Sequence, residues 1–91
     1  MPYTYIVECA DGTYYTGWAQ NLDQRIAKHN LGDGARYTRG RIPVKLVYAE
    51  RHDAKGDAQK RECQIKKLSR AEKERLIRIK SFEAADCRWE D

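Results

Sequence analysis

Residues 3–18, Tyr-Thr-Tyr-Ile-Val-Glu-Cys-Ala-Asp-Gly-Thr-Tyr-Tyr-Thr-Gly-Trp, contain two strand-forming runs on either side of a turn. Both runs are rich in β-branched and aromatic residues, which favour extended backbone. The dipeptide Asp11-Gly12 between them can supply the positive φ angles of a tight hairpin turn. This stretch therefore predicts a β-hairpin with strands at residues 3–9 and 13–18.

After the hairpin the sequence predicts a helix, a loop and a third strand. Asn21 can cap a helix that ends near Asn30. Residues 32–43 contain three glycines, a proline and three arginines, and this composition is typical of a loop. Residues 44–49, Val-Lys-Leu-Val-Tyr-Ala, again have the composition of a strand.

Two more helices are predicted in the last part of the chain. Asp57 can cap a helix over residues 58–68. Ser69 and Glu72 have the spacing of a capping box, so a further helix should start there, with Leu76 and Ile79 on its inward face. The predicted element order is β-β-α-β-α-α.

Length and charge point to one small domain with an anionic partner. The chain has 91 residues, with 18 basic and 14 acidic side chains. The charge is uneven, since residues 1–80 carry a net +7 and residues 81–91 a net −3. A basic folded part favours nucleic acid, although a lysine-rich solubilising surface explains the charge equally well. We expect a domain over 1–80 and an acidic C-terminal tail over 81–91.

Cysteine use and hydropathy favour the reducing cytoplasm. The three cysteines are odd in number and include no Cys-x-x-Cys pair, so neither a disulfide framework nor a zinc site is expected. No stretch approaches the ~18 consecutive apolar residues of a membrane span. We therefore expect a cytoplasmic protein with no membrane partner.

Five side chains have the chemistry of a site that cleaves phosphodiesters. Tyr5 and Tyr15 lie on neighbouring strands, where their hydroxyls can converge if the side chains share a face. Arg25 and His29 are one helical turn apart, and a guanidinium suits a phosphate. Glu62 lies beside the apolar stripe of its helix, where a carboxylate can bind a hard divalent cation. The ordinary alternatives are core tyrosines, a solvated arginine, a buried histidine and an ion pair between Glu62 and the lysine four residues later.

Further residues are candidates for contact with the nucleic acid itself. A basic loop with an embedded tyrosine suits a phosphate backbone, although the loop could be merely flexible and basic. A glycine inside a strand makes room for a close approach of substrate, or else marks a bulge. The candidates are Gly17, Trp18, Arg36, Tyr37, Arg39 and Arg41.

The pattern resembles the GIY-YIG nuclease superfamily. Tyr3-Thr4-Tyr5 is similar to the GIY element and Tyr15-Thr16-Gly17 to the YIG element, with threonine in place of each isoleucine. Arg25 matches the family's helix arginine, His29 its frequent histidine partner and Glu62 its metal-binding glutamate. Each tripeptide alone is a weak signal, but the five-part pattern is specific.

A closer resemblance, from residue 3 to about residue 79, is to the small stand-alone bacterial members. They share the Cys-Ala-Asp-Gly turn, the Gly-Ala-Arg-Tyr-Thr-Arg-Gly loop and the Lys-Lys-Leu-Ser-Arg segment. Trp18 departs from the pattern, because smaller residues usually follow the YIG glycine. It could narrow the groove or stack on a base.

The resemblance implies an α/β (α+β) fold, with a three-stranded antiparallel sheet flanked by helices. It also implies a metal-dependent endonuclease, a hydrolase that cuts DNA with one Mg²⁺ or Mn²⁺. In that reaction Glu62 would hold the metal, Arg25 would balance charge on the phosphate, Tyr5 would activate or orient water and Tyr15 would position the phosphate. The alternatives are a non-catalytic nucleic-acid-binding module and a nuclease subunit that needs a partner protein for its target.

Overall fold

The computed structural model describes the backbone of residues 1–84 and the side chains of residues 1–79. Most of the predicted acidic segment, from residue 85 onward, lies outside the described residues. Within the described part, no helix has the length and apolar character needed to cross a membrane. The elements are β1 (Tyr3–Glu8), β2 (Tyr14–Ala19), α1 (Leu22–Asn30), α2 (Arg36–Arg39), β3 (Lys45–Arg51), α3 (Lys55–Lys66) and α4 (Arg70–Ala84).

The three strands form one antiparallel sheet in the order β2-β1-β3, which confirms the predicted fold class and element order. The hairpin turn is also as predicted, because Gly12 has a φ of 85°. The Asp11 carboxylate accepts hydrogen bonds from the Thr13 backbone N–H (3.1 Å) and the Thr13 hydroxyl (2.6 Å). A local Asx-type turn therefore sets the register of β1 against β2.

The central strand β1 separates two small cores. Tyr5 and Val7 point to one face, where α1 covers them. Ile6 points to the other face, where it packs with Tyr48 and with Ile65 of α3. Because successive strand residues point to opposite faces, a central strand buried on both sides must be apolar or hydrogen-bonded at every position.

Local capping signals begin two of the helices as predicted. The Asn21 side chain accepts a hydrogen bond from the Gln24 N–H (3.0 Å) at the start of α1, and Gly32, with a φ of 84°, follows its end. Ser69 and Glu72 form a reciprocal capping box, with N···O distances of 2.8 and 3.2 Å. Both helix starts therefore lie where the sequence placed them.

Three details of the prediction were wrong. The predicted loop contains the four-residue helix α2, which depends on a contact of Thr38 with another helix. Helix α3 begins after Ala54 without a side-chain cap, so Asp57 lies inside the first turn, where its charge favours the helix N-terminus. Ile79 is 53% exposed, whereas Ile77 packs against the core together with Leu76, which lies inward as predicted.

Gly17 lies directly opposite Tyr5 in the β1–β2 pairing. A Cβ atom on Gly17 would lie 2.7 Å from the Tyr5 hydroxyl oxygen and 3.1 Å from a ring carbon of Tyr15. Because Gly17 has no side chain, the Tyr5 ring can lie across strand β2 at this position. Since its φ is not positive, the requirement is steric and not one of backbone conformation.

We expect Gly17→Ala to destabilise the fold by about 1–3 kcal/mol, because the added methyl group must displace the buried Tyr5 ring. Gly56→Ala is the matched control, since a Cβ atom there meets nothing within 4 Å. Urea denaturation of both variants measures the difference in free energy of unfolding. Equal midpoints for the two variants would show that the Tyr5 ring does not need this space.

Candidate active site

A buried histidine forms the centre of the candidate site. His29 has no exposed surface, and its two ring nitrogens are both hydrogen-bonded. Nε2 lies 2.7 Å from the Tyr5 hydroxyl and Nδ1 lies 2.8 Å from the Thr38 hydroxyl. The Thr38 hydroxyl donates its proton to the carbonyl of Ala35 (3.0 Å), so its oxygen can accept from Nδ1–H at 2.8 Å. The Ala35 N–H also points at Nδ1, but at 3.5 Å it is the weaker contact, and we assign Nδ1–H as the donor to Thr38. Nε2 is then the acceptor for the Tyr5 O–H group.

The protonation states of Tyr5 and His29 follow from their surroundings. Burial raises the pKa of Tyr5 to about 12, although the neighbouring Arg25 guanidinium acts in the opposite direction. Burial lowers the pKa of His29, and the positive charge of Arg25 lowers it further. At neutral pH the site therefore holds a protonated tyrosine hydrogen-bonded to a neutral imidazole, which can take its proton.

Tyr15 lies on the same face of the sheet as Tyr5 and also contacts His29. Its ring meets the imidazole edge-on, with centroids 5.5 Å apart and planes at 64°. On its other side it stacks on Tyr37, with centroids 5.9 Å apart. The two tyrosines of the sequence pattern therefore converge on one histidine.

Arg25 supplies an unpaired donor to the site. Its Nε atom is buried and has no hydrogen-bond partner within the part of the chain that the structure describes. The same guanidinium lies close enough to Tyr5 and His29 to lower the pKa of both. A buried donor without a partner costs free energy, so a bound anionic oxygen that accepts from it would be favourable.

Glu62 reaches the site from α3, with its side chain only 18% exposed. It pairs with Nζ of Lys66 at 2.9 Å, so the intrahelical ion pair that was the ordinary alternative is present. The negative charge of Glu62 also contributes to the raised pKa of Tyr5, which places the carboxylate near the tyrosine. Lys66 in turn lies 5.9 Å from the centre of the Tyr15 ring. The ion pair and the position in the site are therefore compatible.

The basic loop contributes less uniformly than its sequence suggested. Arg36 and Arg39 are exposed on α2. Arg41 is held by the Asp11 carboxylate at 3.0 Å and donates to the carbonyl of Tyr37 at 2.6 Å. Its guanidinium lies 4.1 Å from the centre of the Tyr37 ring, so Arg41 packs on the aromatic stack of Tyr37 and Tyr15.

Two residues around His29 were not singled out from the sequence. Thr38 is fully buried and fixes the imidazole through Nδ1. Gly34 lies so close that a Cβ atom on it would be 2.2 Å from Nδ1. The only sequence signal for Gly34 is the group of glycines in residues 32–43, and their composition indicates a loop without showing what the glycine contacts. The threonine carried no signal, because its partner is nine residues away and on another helix.

The carboxylate chemistry fits a single hard cation. Within the described residues, no cluster of three His, Cys, Asp or Glu side chains is present. Glu62 is the acidic side chain of the site, and Mg²⁺ is commonly held by one or two carboxylates together with water and substrate phosphate. Glu62 therefore fits a cation whose remaining ligands come with the substrate.

The chain is similar to known proteins over most of its length. Residues 1–75 match the GIY-YIG catalytic domain. A UPF0213 protein of Halobacterium salinarum is 55% identical over 85% of this chain and 100% of its own length. A UPF0213 protein of Clostridium perfringens is 56% identical over 90% of this chain and 88% of its own.

Two solved structures are similar in fold. The solution NMR structure of a UPF0213 protein from Bacillus halodurans has a TM-score of 0.57 and 47% sequence identity, with 88% of this chain and 86% of that one covered. The solution NMR structure of a protein from E. faecalis has a TM-score of 0.56 and 36% identity, with 89% and 84% covered.

The buried imidazole should titrate below the ordinary histidine pKa of ~6.5. The chain has two histidines, so His52→Gln leaves His29 as the single titrating ring for NMR. Because the folded pKa is lowered, the unfolded chain binds more protons as the pH falls through and below ~6.5. We expect the free energy of unfolding to decrease over that range. A ring pKa at or above 6.5 would contradict the buried, neutral assignment.

Proposed function

We propose that this chain, which belongs to the GIY-YIG family of nucleases, is a divalent-metal-dependent endonuclease that hydrolyses DNA phosphodiester bonds. The observation that carries the proposal is the hydrogen-bonded series from Tyr5 to His29 to Thr38, beside a buried Arg25 Nε that has no hydrogen-bond partner among the described residues. A buried tyrosine hydroxyl needs some hydrogen-bond partner, and a neutral imidazole at 2.7 Å is one that can also take its proton.

Tyr5 and His29 can together accept a proton from the attacking water. With a pKa of about 12, Tyr5 is not ionised at neutral pH and cannot act alone as the base. A water proton can pass to the Tyr5 oxygen while the Tyr5 proton passes to Nε2 of His29. Tyr5 is therefore protonated before and after the transfer, and no phenolate forms. The hydroxide forms the new bond to phosphorus as the bond to the leaving oxygen breaks. The leaving oxygen takes a proton from solvent water, and His29 afterwards releases the proton that it gained. Thr38 keeps the imidazole in the tautomer that accepts this proton.

Arg25 and Glu62 supply the charges that the phosphate needs. The unpaired Nε of Arg25 can donate to a phosphoryl oxygen as negative charge gathers there. Glu62 would hold Mg²⁺ or Mn²⁺, and its partner Lys66 would have to release the carboxylate. When bound, such a cation supplies Lewis-acid stabilisation of the phosphate oxygens. Tyr15, packed against His29, is suited to position the phosphate.

The remaining basic surface suits DNA as the partner. Arg36 and Arg39 are exposed beside the site and can contact phosphates, whereas Arg41 supports Tyr37. Both cysteines in the described part of the chain, Cys9 and Cys63, are free, which fits our proposal of a cytoplasmic protein. If the purified chain binds DNA but cuts it only with an added protein, the function is that of a subunit.

Glu62→Gln should reduce cleavage by about 10²-fold or more, because the carboxylate that would hold the cation is lost. DNA binding in EDTA should be retained. Glu74→Gln is the matched control, since Glu74 forms the same type of i,i+4 ion pair with Arg70, at 3.1 Å on α4. Plasmid cleavage with Mg²⁺ or Mn²⁺ measures both. Full metal-dependent activity of Glu62→Gln would remove Glu62 from the site.

Tyr5→Phe should reduce cleavage by about 10²- to 10⁴-fold, because the hydroxyl that relays the proton to His29 is removed. It should also cost about 1–3 kcal/mol of stability, since buried Nε2 loses its partner. Tyr14→Phe is the control, because the Tyr14 ring lies against Arg70 and not against His29. Single-turnover rates are compared at a temperature where all variants are folded. Near-normal cleavage by Tyr5→Phe would show that Tyr5 has only a structural role in the core.

A further inference from the structure

A pocket of about 390 Å³ adjoins the candidate site at the free edge of the sheet. Strand β2 is an edge strand, so nothing in the sheet pairs with its outer side. The pocket lies between the end of β2 and the first turns of α1, and it shares Arg25 with the site. Its lining includes Trp18, Gln20, Asn21, Gln24, Arg25 and Lys28.

The lining combines three kinds of groups that together suit one nucleotide. Trp18 offers an aromatic surface on which a base can stack. The exposed Gln20 and Gln24 carry amides that can donate to and accept from a base edge. Lys28 and Arg25 bring positive charge for the phosphate. A purely hydrophobic ligand would leave the amides and charges unpaired.

The positive charge continues on the α3 side of Trp18. Nζ of Lys55 lies 5.7 Å from the centre of the Trp18 ring. Lys28 of α1 lines the pocket, and Lys55 of α3 lies near the Trp18 ring, so two helices bring cations to this edge of the sheet. A strand whose base stacks on Trp18 would have phosphates within reach of either lysine, and Arg25 links the pocket to the atoms that the proposed reaction acts on.

We propose that this pocket takes one unpaired nucleotide next to the scissile phosphate, so that the substrate class is DNA with a single-stranded segment. The inference rests on the proposed function, because Arg25 is taken to contact the phosphate that is cut. A base stacked and paired within an intact duplex cannot enter such a pocket unless it is first flipped out, which costs several kcal/mol. Single-stranded, frayed or branched DNA avoids that cost.

The test uses Trp18 itself as the reporter. The chain has two tryptophans, so Trp89→Phe leaves Trp18 as the single indole. In EDTA, which prevents metal-dependent cleavage, this protein is titrated with a short single-stranded oligonucleotide and with a blunt duplex of the same sequence. We expect strong quenching of Trp18 fluorescence by the single strand and weak quenching by the duplex. Equal quenching by both would overturn the inference.

Two substitutions separate stacking from packing. In the same background, Trp18→Phe keeps an aromatic ring, whereas Trp18→Leu keeps apolar volume without one. We expect Trp18→Leu to bind the single strand about 5- to 150-fold more weakly than Trp18→Phe, with equal duplex affinity for the two variants. Equal single-strand affinity for the two variants, or an equal loss on both kinds of DNA, would return Trp18 to a structural role.

Cleavage with Mg²⁺ distinguishes this inference from the function on which it rests. If the unsubstituted chain cuts single-stranded and nicked DNA faster than intact duplex, and Trp18→Leu narrows that ratio, both proposals are supported. If it cuts all three equally and Trp18→Leu changes nothing, the endonuclease assignment stands and the nucleotide pocket is wrong. If no DNA is cut while Trp18 is still quenched by single strands, the endonuclease assignment fails and the pocket remains as a binding site for an unpaired nucleotide.

Discussion

The hydrogen bond between the Tyr5 hydroxyl and Nε2 of His29 connects the two parts of the molecule on which the site is built. This hydrogen bond is 2.7 Å long, lies between two fully buried residues and joins the central strand to α1. A side chain on Gly17 would overlap the Tyr5 ring, and a side chain on Gly34 would overlap the imidazole of His29. Thr38 fixes the opposite nitrogen, which brings α2 to the same point. A buried polar pair must be satisfied on every side, so these positions constrain one another.

The surroundings of this pair keep both Tyr5 and His29 neutral. Arg25 disfavours a proton on His29 and partly offsets the effect of burial on the pKa of Tyr5. Glu62 acts on Tyr5 in the opposite sense, and Lys66 balances Glu62. Positive and negative groups therefore flank a neutral tyrosine–histidine pair. Binding of an anionic phosphate and a cation would replace the internal partners of these groups with substrate and metal, without leaving a buried charge unpaired.

The aromatic side chains beside the site differ in their surroundings, because Tyr15 and Tyr37 are stacked whereas Trp18 lies at the edge of the sheet. Arg41, anchored by Asp11, covers the Tyr37 ring, and Tyr37 stacks on Tyr15. This series connects the hairpin turn to the candidate site, since Asp11 also forms the turn. The turn that sets the strand register therefore also helps to hold Tyr15 against His29. Trp18, on the far side of Gly17, lies at the open edge where nothing in the sheet covers it.

The sequence by itself determined the features that depend on near neighbours. Asp11-Gly12 specified the turn, Asn21 the start of α1, and Ser69 with Glu72 the start of α4, because each acts through backbone groups within three residues. The alternation of strand residues placed Tyr5 and Tyr15 on one face once the turn had set the register. The resemblance of the motifs to a nuclease family then identified the site residues, whose catalytic roles stay predictions.

Only the tertiary structure decided what those residues touch. That Gly17 makes room for Tyr5, that Thr38 orders His29 and that Arg41 is bound by Asp11 all depend on atoms that are distant in the sequence. The same holds for α2, which lies in a segment whose composition predicts a loop, and for the face of α4 that packs Ile77 against the core and leaves Ile79 exposed. Local propensities amount to fractions of a kcal/mol per residue, whereas burial of one large side chain amounts to several times more. Packing therefore prevails wherever the two disagree.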